Sequence, residues 1–106
     1  IMLSNSYYSF FADKVPDRFI DMAKAMGENV DSLPESEKPL AFITALEKLQ
    51  KKCNVDGLKM SDYGIKKEEI PALASNAIET MGGLFERDRH KLSYEDTVYI
   101  LEKAYK

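Results

Sequence analysis

The stretch Leu92-Ser93-Tyr94-Glu95-Asp96-Thr97-Val98-Tyr99-Ile100-Leu101-Glu102-Lys103-Ala104-Tyr105 decides the fold class. Ser93 followed three positions later by Asp96 is a variant of the capping box, in which two side chains satisfy the free N–H groups of a first helical turn. Val98, Leu101, Ala104 and Tyr105 then recur at helical spacing and are the expected buried face. The same grammar runs back towards the N-terminus. Pro71 suits the first turn of a fourth helix, after a short turn over residues 67–70, and Leu73, Ala74, Ala77, Ile78 and Met81 give it a narrow apolar face. Gly82-Gly83 reads as its stop, with a loop onward to His90.

Residues 54–64 carry turn formers (Asn54, Asp56, Gly57, Gly64) and little periodicity. Before them, a third helix is expected with Ser36 as cap and Pro39 in its first turn. Its apolar stripe is Leu40, Ile43, Leu46 and Leu49, with Glu47 and Lys51 paired on the outside. Residues 28–35 read as a polar loop. The second helix opens at Pro16, shows Phe19, Ile20, Ala23 and Met26 on one side, and stops at Gly27. In residues 1–11, Ser4, Asn5 and Ser6 interrupt strand alternation, so the aromatic-rich start is expected to be helical as well. The chain is therefore expected to be all-α, a compact bundle of about five helices.

Composition narrows the function classes. A chain of 106 residues fits one domain, and 44% hydrophobic with 31% charged residues is ordinary for a folded core. A net charge of −3, with the two signs interspersed, argues against a nucleic-acid surface and against a polybasic membrane anchor. No apolar run nears the roughly 20 residues that span a bilayer. Ile1-Met2-Leu3 carries no basic signal-peptide start and reads as a chain entered in mid-element. The single cysteine, Cys53, forbids an internal disulfide, favours a cytoplasmic setting, and is expected to be a partly buried apolar residue.

Chemistry is harder to find. The only histidine, His90, stands between Arg89 and Lys91 and reads as a surface loop residue; a zinc or iron site assembles three or four ligands. Residues 56–69 hold acids and glycines, but Lys59 and Met60 occupy positions where a calcium loop needs oxygen. Gly82-Gly83 follows a helix instead of joining a strand to one, so it is no phosphate cradle. No acid is in evidence to orient His90 as the base of a nucleophile. Asp31-Ser32-Leu33 is similar to the phosphopantetheine attachment site of acyl carrier proteins, but Pro34 and Pro39 interrupt the helix that should follow Ser32 directly. The catalytic, cofactor-binding and metal-ligand sets expected within residues 1–106 are therefore empty.

Taken in order, several segments resemble the C-terminal region of the iron-containing (group III) alcohol dehydrogenases. The run Asp62-Tyr63-Gly64-Ile65-Lys66-Lys67-Glu68-Glu69-Ile70-Pro71-Ala72-Leu73-Ala74-Ser75-Asn76-Ala77-Ile78 resembles that family's C-terminal region, where a Gly-Ile-Lys-Glu-Glu-Asp-Ile-Pro-Ala-Leu-Ala-like segment recurs after a loop. The closing run resembles its Thr-x-Glu-Asp-Ile-x-x-Ile-x-x-x-Ala-Tyr helix, and Pro16-Asp17-Arg18-Phe19 through Ala23-Lys24-Ala25-Met26-Gly27 resembles a Pro-Glu-Arg…Ala-x-Ala-Leu-Gly helix. Departures occur at Ile1-Met2-Leu3-Ser4 (usually Leu-Pro), Asn54-Val55-Asp56 (usually Gly-Ile-Pro) and Arg87-Asp88-Arg89 (usually Asn-Pro-Arg).

The resemblance implies a two-domain parent of the dehydroquinate synthase-like/iron alcohol dehydrogenase fold. An N-terminal α/β domain would bind NAD(P), and a helical domain would hold Fe²⁺ or Zn²⁺ through one Asp and three His. The metal would polarise an alcohol oxygen while hydride passes to the nicotinamide. The last of those ligands lies just before the position matching Ile1, so this chain would be a non-catalytic C-terminal fragment whose partner is the remainder of that enzyme. By the same analogy Gly82, Gly83, Leu84 and Phe85 form a loop at the substrate end of the cleft. The competing expectation is a free-standing interaction module that self-associates or binds a partner through Tyr7, Tyr8, Phe10 and Phe11. On either expectation, calorimetry of the isolated chain should detect no micromolar binding of Fe²⁺ or of NAD(P)H, and such binding would overturn the reading.

Overall fold

A computed structural model describes residues 1–106. Five α-helices follow in order, α1 (Ser4–Ala12), α2 (Pro16–Ala25), α3 (Leu40–Lys52), α4 (Ile70–Phe85) and α5 (Tyr94–Ala104), with short 3₁₀ turns at Val30–Ser32, Ser61–Tyr63 and Lys67–Glu69 and no strand. The expected all-α class and helix number hold.

The helix ends explain why these segments stop where they do. At α5 the Asp96 N–H donates to Ser93 Oγ at 3.0 Å while the Ser93 N–H donates to Asp96 Oδ2 at 3.0 Å, so the capping box is complete. Those bonds, led by the one from the Ser93 backbone, hold the Asp96 carboxyl below its ordinary value. After α2, Glu28 N–H donates to Ala23 O and Gly27 N–H to Lys24 O, with Gly27 at φ 88. This is a Schellman end, which needs a left-handed residue at that position. Asn54 (φ 56) does the same after α3, with Val55 N–H on Gln50 O and Asn54 N–H on Lys51 O.

The packing is two helix pairs joined by a fifth helix. α2 lies on α3, α4 lies on α5, and α1 touches α3 on one side and α5 on the other. Its aromatics make the joint. The Tyr8 ring meets Phe42 edge-on at 5.2 Å and Phe19 at 6.2 Å, and Phe19 meets Phe42 at 5.6 Å. Edge-to-face contacts in this range stabilise beyond the area they bury. Phe11 and Ala12 are buried, and Tyr7, Tyr8 and Phe10 pack partly buried against the same core.

Several expected details are corrected. Ser36 caps nothing: Glu37 and Lys38 donate to the Pro34 carbonyl in a turn, and α3 starts at Leu40 after Pro39. Its buried face is Ala41, Phe42, Ile43 and Ala45, while Leu40 and Leu49 are 48% and 47% exposed. Both arcs of α3 are apolar, and the one carrying Phe42 faces inward because it meets two rings. Glu47 and Lys51 do not pair; Lys48 instead reaches Glu28 Oε1 at 2.7 Å, tying α3 to the segment after α2. That segment is not wholly polar in role, since Val30 is 1% exposed. In α5 the buried set is Thr97, Ile100 and Ala104, with Val98, Leu101 and Tyr105 only partly covered. Thr97 tolerates burial because its hydroxyl donates to Ser93 O at 2.8 Å. Cys53 is exposed, because it is the residue on which α3 unwinds.

Replacing Ser93→Ala should cost about 1 kcal/mol in urea unfolding, and Phe19→Ala about 3–5 kcal/mol. The carboxyl of Asp96 is lower in the folded than in the unfolded chain. Its stabilisation is therefore present above about pH 4 and lost as pH falls through the folded value. Asp96→Asn should flatten that acid-side loss.

Candidate functional site

α4 carries more apolar surface than its neighbour α5 can cover. Ile70 and Ala74 are buried, yet Leu73 is 40% and Met81 and Leu84 are each 58% exposed. Leu73 and Ala77, one turn apart, form one wall of a groove of about 570 Å³ that runs between α1, α4 and α5. Leu3 and Tyr7 from α1 and its approach, Leu101 from α5 and Phe85 complete it, and 12 of its 14 lining residues are hydrophobic.

The molecule's dimensions agree with an uncovered face. It measures 42 × 32 × 18 Å, and its thinnest direction leaves room for no more than two helix layers. Its radius of gyration is 14.9 Å, against about 13 Å for a compact domain of this length. It exposes 7113 Å², where a compact monomer of its mass exposes roughly 6,000 Å². The excess is comparable to one side of a standard protein interface, roughly 800 Å².

Polar groups at the groove are few. The Tyr7 hydroxyl donates to Asp88 Oδ2 at 3.4 Å. Burial, reinforced by the adjacent Asp88 carboxylate, pushes the Tyr7 phenol above its ordinary value. Asn5 Oδ1, buried without a donor, lies outside this groove, in a separate cleft beside Phe10 and Tyr99.

The far end of α4 differs from expectation. Gly82-Gly83 does not stop the helix, which continues to Phe85 across a kink at Met81 (φ −129, ψ 16). Gly82, Gly83, Leu84 and Phe85 are thus a last helical turn and not a loop. Phe85 turns into the groove while Leu84 stays outside. Apolar residues Met81, Leu84 and Phe85 around the glycine pair continue the helical pattern, and nothing polar competes for the backbone there.

The other residues singled out in the sequence lie apart. His90 is half-buried, its ring centre 5.9 Å from Phe10 and 6.3 Å from Phe11, so it is an aromatic packing partner and not a plain surface residue. No three His, Cys, Asp or Glu side chains converge, so the donors present do not fit a catalytic metal ion. Ser32 ends a 3₁₀ turn with its hydroxyl donating to Asn29 O at 3.1 Å. The next α-helix begins only at Leu40, so the carrier-type arrangement is not built. Of Tyr7, Tyr8, Phe10 and Phe11, Phe11 is buried and the other three pack partly buried against the core, with Tyr7 and Tyr8 also lining the groove. The exposed apolar residues of α4 are the feature that sequence reasoning missed. The signal was present in Leu84 and Phe85, which widen the Leu73–Met81 arc. No helix is long and apolar enough to cross a membrane.

The structure is thus an all-helical layer with an apolar groove open along α4. The model of the Fe-containing alcohol dehydrogenase family, C-terminal, matches residues 1–105, and the chain belongs to that family. No curated protein and no solved structure matches it.

Because the Tyr7 phenol is higher in the folded chain, its contribution to stability is complete below about pH 10 and is lost as pH rises through the folded value. A urea series between neutral and strongly alkaline pH should show this decline, and Tyr7→Phe should reduce it.

Proposed function

We propose that the chain is the C-terminal helical layer of a metal-dependent NAD(P) alcohol dehydrogenase, which interconverts an alcohol with its aldehyde or ketone by hydride transfer. The match of the family's C-terminal model over residues 1–105 carries this reading. In this reading the layer contributes no catalytic group, no cofactor contact and no metal ligand. Fe²⁺ or Zn²⁺ and NAD(P) would be held by the remainder of the enzyme, where the metal supplies a Lewis acid for the alcohol oxygen.

The apolar groove between α1, α4 and α5 supports the role assigned to this layer. An open apolar face of this extent marks a surface meant for burial, and its occupant in this reading is the helical remainder of the same enzyme. The last turn of α4, Gly82 to Phe85, would stand at the substrate end of the cleft, with Leu84 exposed to it.

The test is an assay of the protein encoded by the whole reading frame, loaded with Fe²⁺ or Zn²⁺ and given NAD(P)⁺ and a panel of short alcohols and diols. Alcohol-dependent reduction of the nicotinamide is expected; a folded, metal-loaded protein without it would overturn the reading. Leu73→Glu separates the role of the groove from that of the fold. In the isolated chain Leu73 is 40% exposed, so the change should cost only about 1 kcal/mol. In the whole enzyme it would bury an unpaired charge, costing about 3 kcal/mol or more and the yield of folded protein.

A further inference from the structure

The segment that follows Met81 is joined to the body differently from the rest of the chain. The Met81 backbone leaves helical geometry, and the space around Gly82 and Gly83 is empty: a Cβ at either would meet nothing within 4 Å. Beyond this point the backbone bonds thin out. Glu86 N–H reaches Gly82 O at 3.2 Å, Arg87 N–H reaches Leu84 O at 3.0 Å, and Asp88 N–H reaches Phe85 O at a long 3.4 Å. No backbone N–H of residues 89–92 donates to another backbone group.

Three side-chain contacts hold this segment down. Phe85 sits in the groove, the Tyr7 hydroxyl holds Asp88, and His90 rests on Phe10 and Phe11. The other polar contact, Lys91 to Glu86 at 3.7 Å, is internal to the segment and would travel with it. Tyr7–Asp88 is the only side-chain hydrogen bond that ties the segment to α1.

We propose that residues 82–91 are a hinged strap that opens and closes one end of the apolar groove, with Met81 to Gly83 as the hinge and Tyr7–Asp88 as the latch. When the latch is made, Phe85 closes the groove end. When it breaks, Phe85 withdraws and the end widens, while α5, independently capped by Ser93 and Asp96, stays in place. Few backbone bonds, as found over residues 86–92, are what a segment that opens below the global unfolding free energy requires. The motion follows from this geometry alone; its bearing on a substrate cleft rests on the dehydrogenase reading above.

Hydrogen exchange on the 106-residue chain tests it without any activity, so failure of the dehydrogenase reading leaves the result intact. Tyr7→Phe and Asp88→Ala should each speed exchange of amides 84–88 by roughly two- to tenfold, the worth of one net hydrogen bond. Amides of α2, α3 and α5 should keep their rates. Gly82→Ala with Gly83→Ala, which stiffens the hinge, should slow the same amides by roughly fivefold or more. Binding of the apolar dye anilinonaphthalenesulfonate should rise with the latch variants and fall with the hinge variant. Unchanged exchange at residues 84–88 in the latch variants would overturn the proposal. So would acceleration shared equally by α2 and α3, or dye binding that does not follow the exchange.

Discussion

The structure depends on three rings. Tyr8 of α1, Phe19 of α2 and Phe42 of α3 meet within 5.2–6.2 Å of one another, and through them α1 is fastened to the α2–α3 pair. The opposite side of α1 faces α5, so the same short helix carries the α4–α5 pair. In a slab with 18 of 106 residues buried, there is no second core to take over that task. The rings supply both area and orientation, because the edge-on geometry fixes the angle at which α1 crosses its neighbours.

That arrangement also creates the open face. By lying between the two helix pairs, α1 holds α4 and α5 to one side, and the apolar arc of α4 is covered only where α5 reaches it. Leu73, Met81 and Leu84 remain in solvent, and Tyr7 and Leu3 supply the opposite wall of the groove. A free-standing domain of this size usually closes such a surface on itself. The chain belongs to the Fe-containing alcohol dehydrogenase family, and its α4 carries an apolar face that its own helices leave open.

Local signals were legible wherever the backbone itself enforces them. Pro16, Gly27, the turn before Pro71 and the Ser93–Asp96 box each satisfy or remove specific N–H and carbonyl groups, and these requirements do not depend on tertiary context. The family could be read because motifs of this kind recur in order along the chain. Faces were less legible. α3 has apolar residues on two arcs, and only the position of Tyr8 and Phe19 selects Ala41, Phe42 and Ala45 over Leu40 and Leu49. The sequence shows that the start of the chain is rich in aromatics, but not that Tyr8 would meet Phe19 and Phe42. Gly82-Gly83 misled for a related reason: glycine permits a helix stop but does not compel one. The groove itself was hidden, since a surplus of apolar area on α4 emerges only when the neighbours of that helix are known.

The joint at Tyr8 can be examined most directly by following urea unfolding of Tyr8→Ala with separate probes in the α2–α3 and α4–α5 pairs. If α1 couples the pairs through its rings, the wild-type probes report one coincident transition, and in the variant they separate into two. A variant whose probes stay coincident, with both transitions moved equally or not at all, would contradict the account.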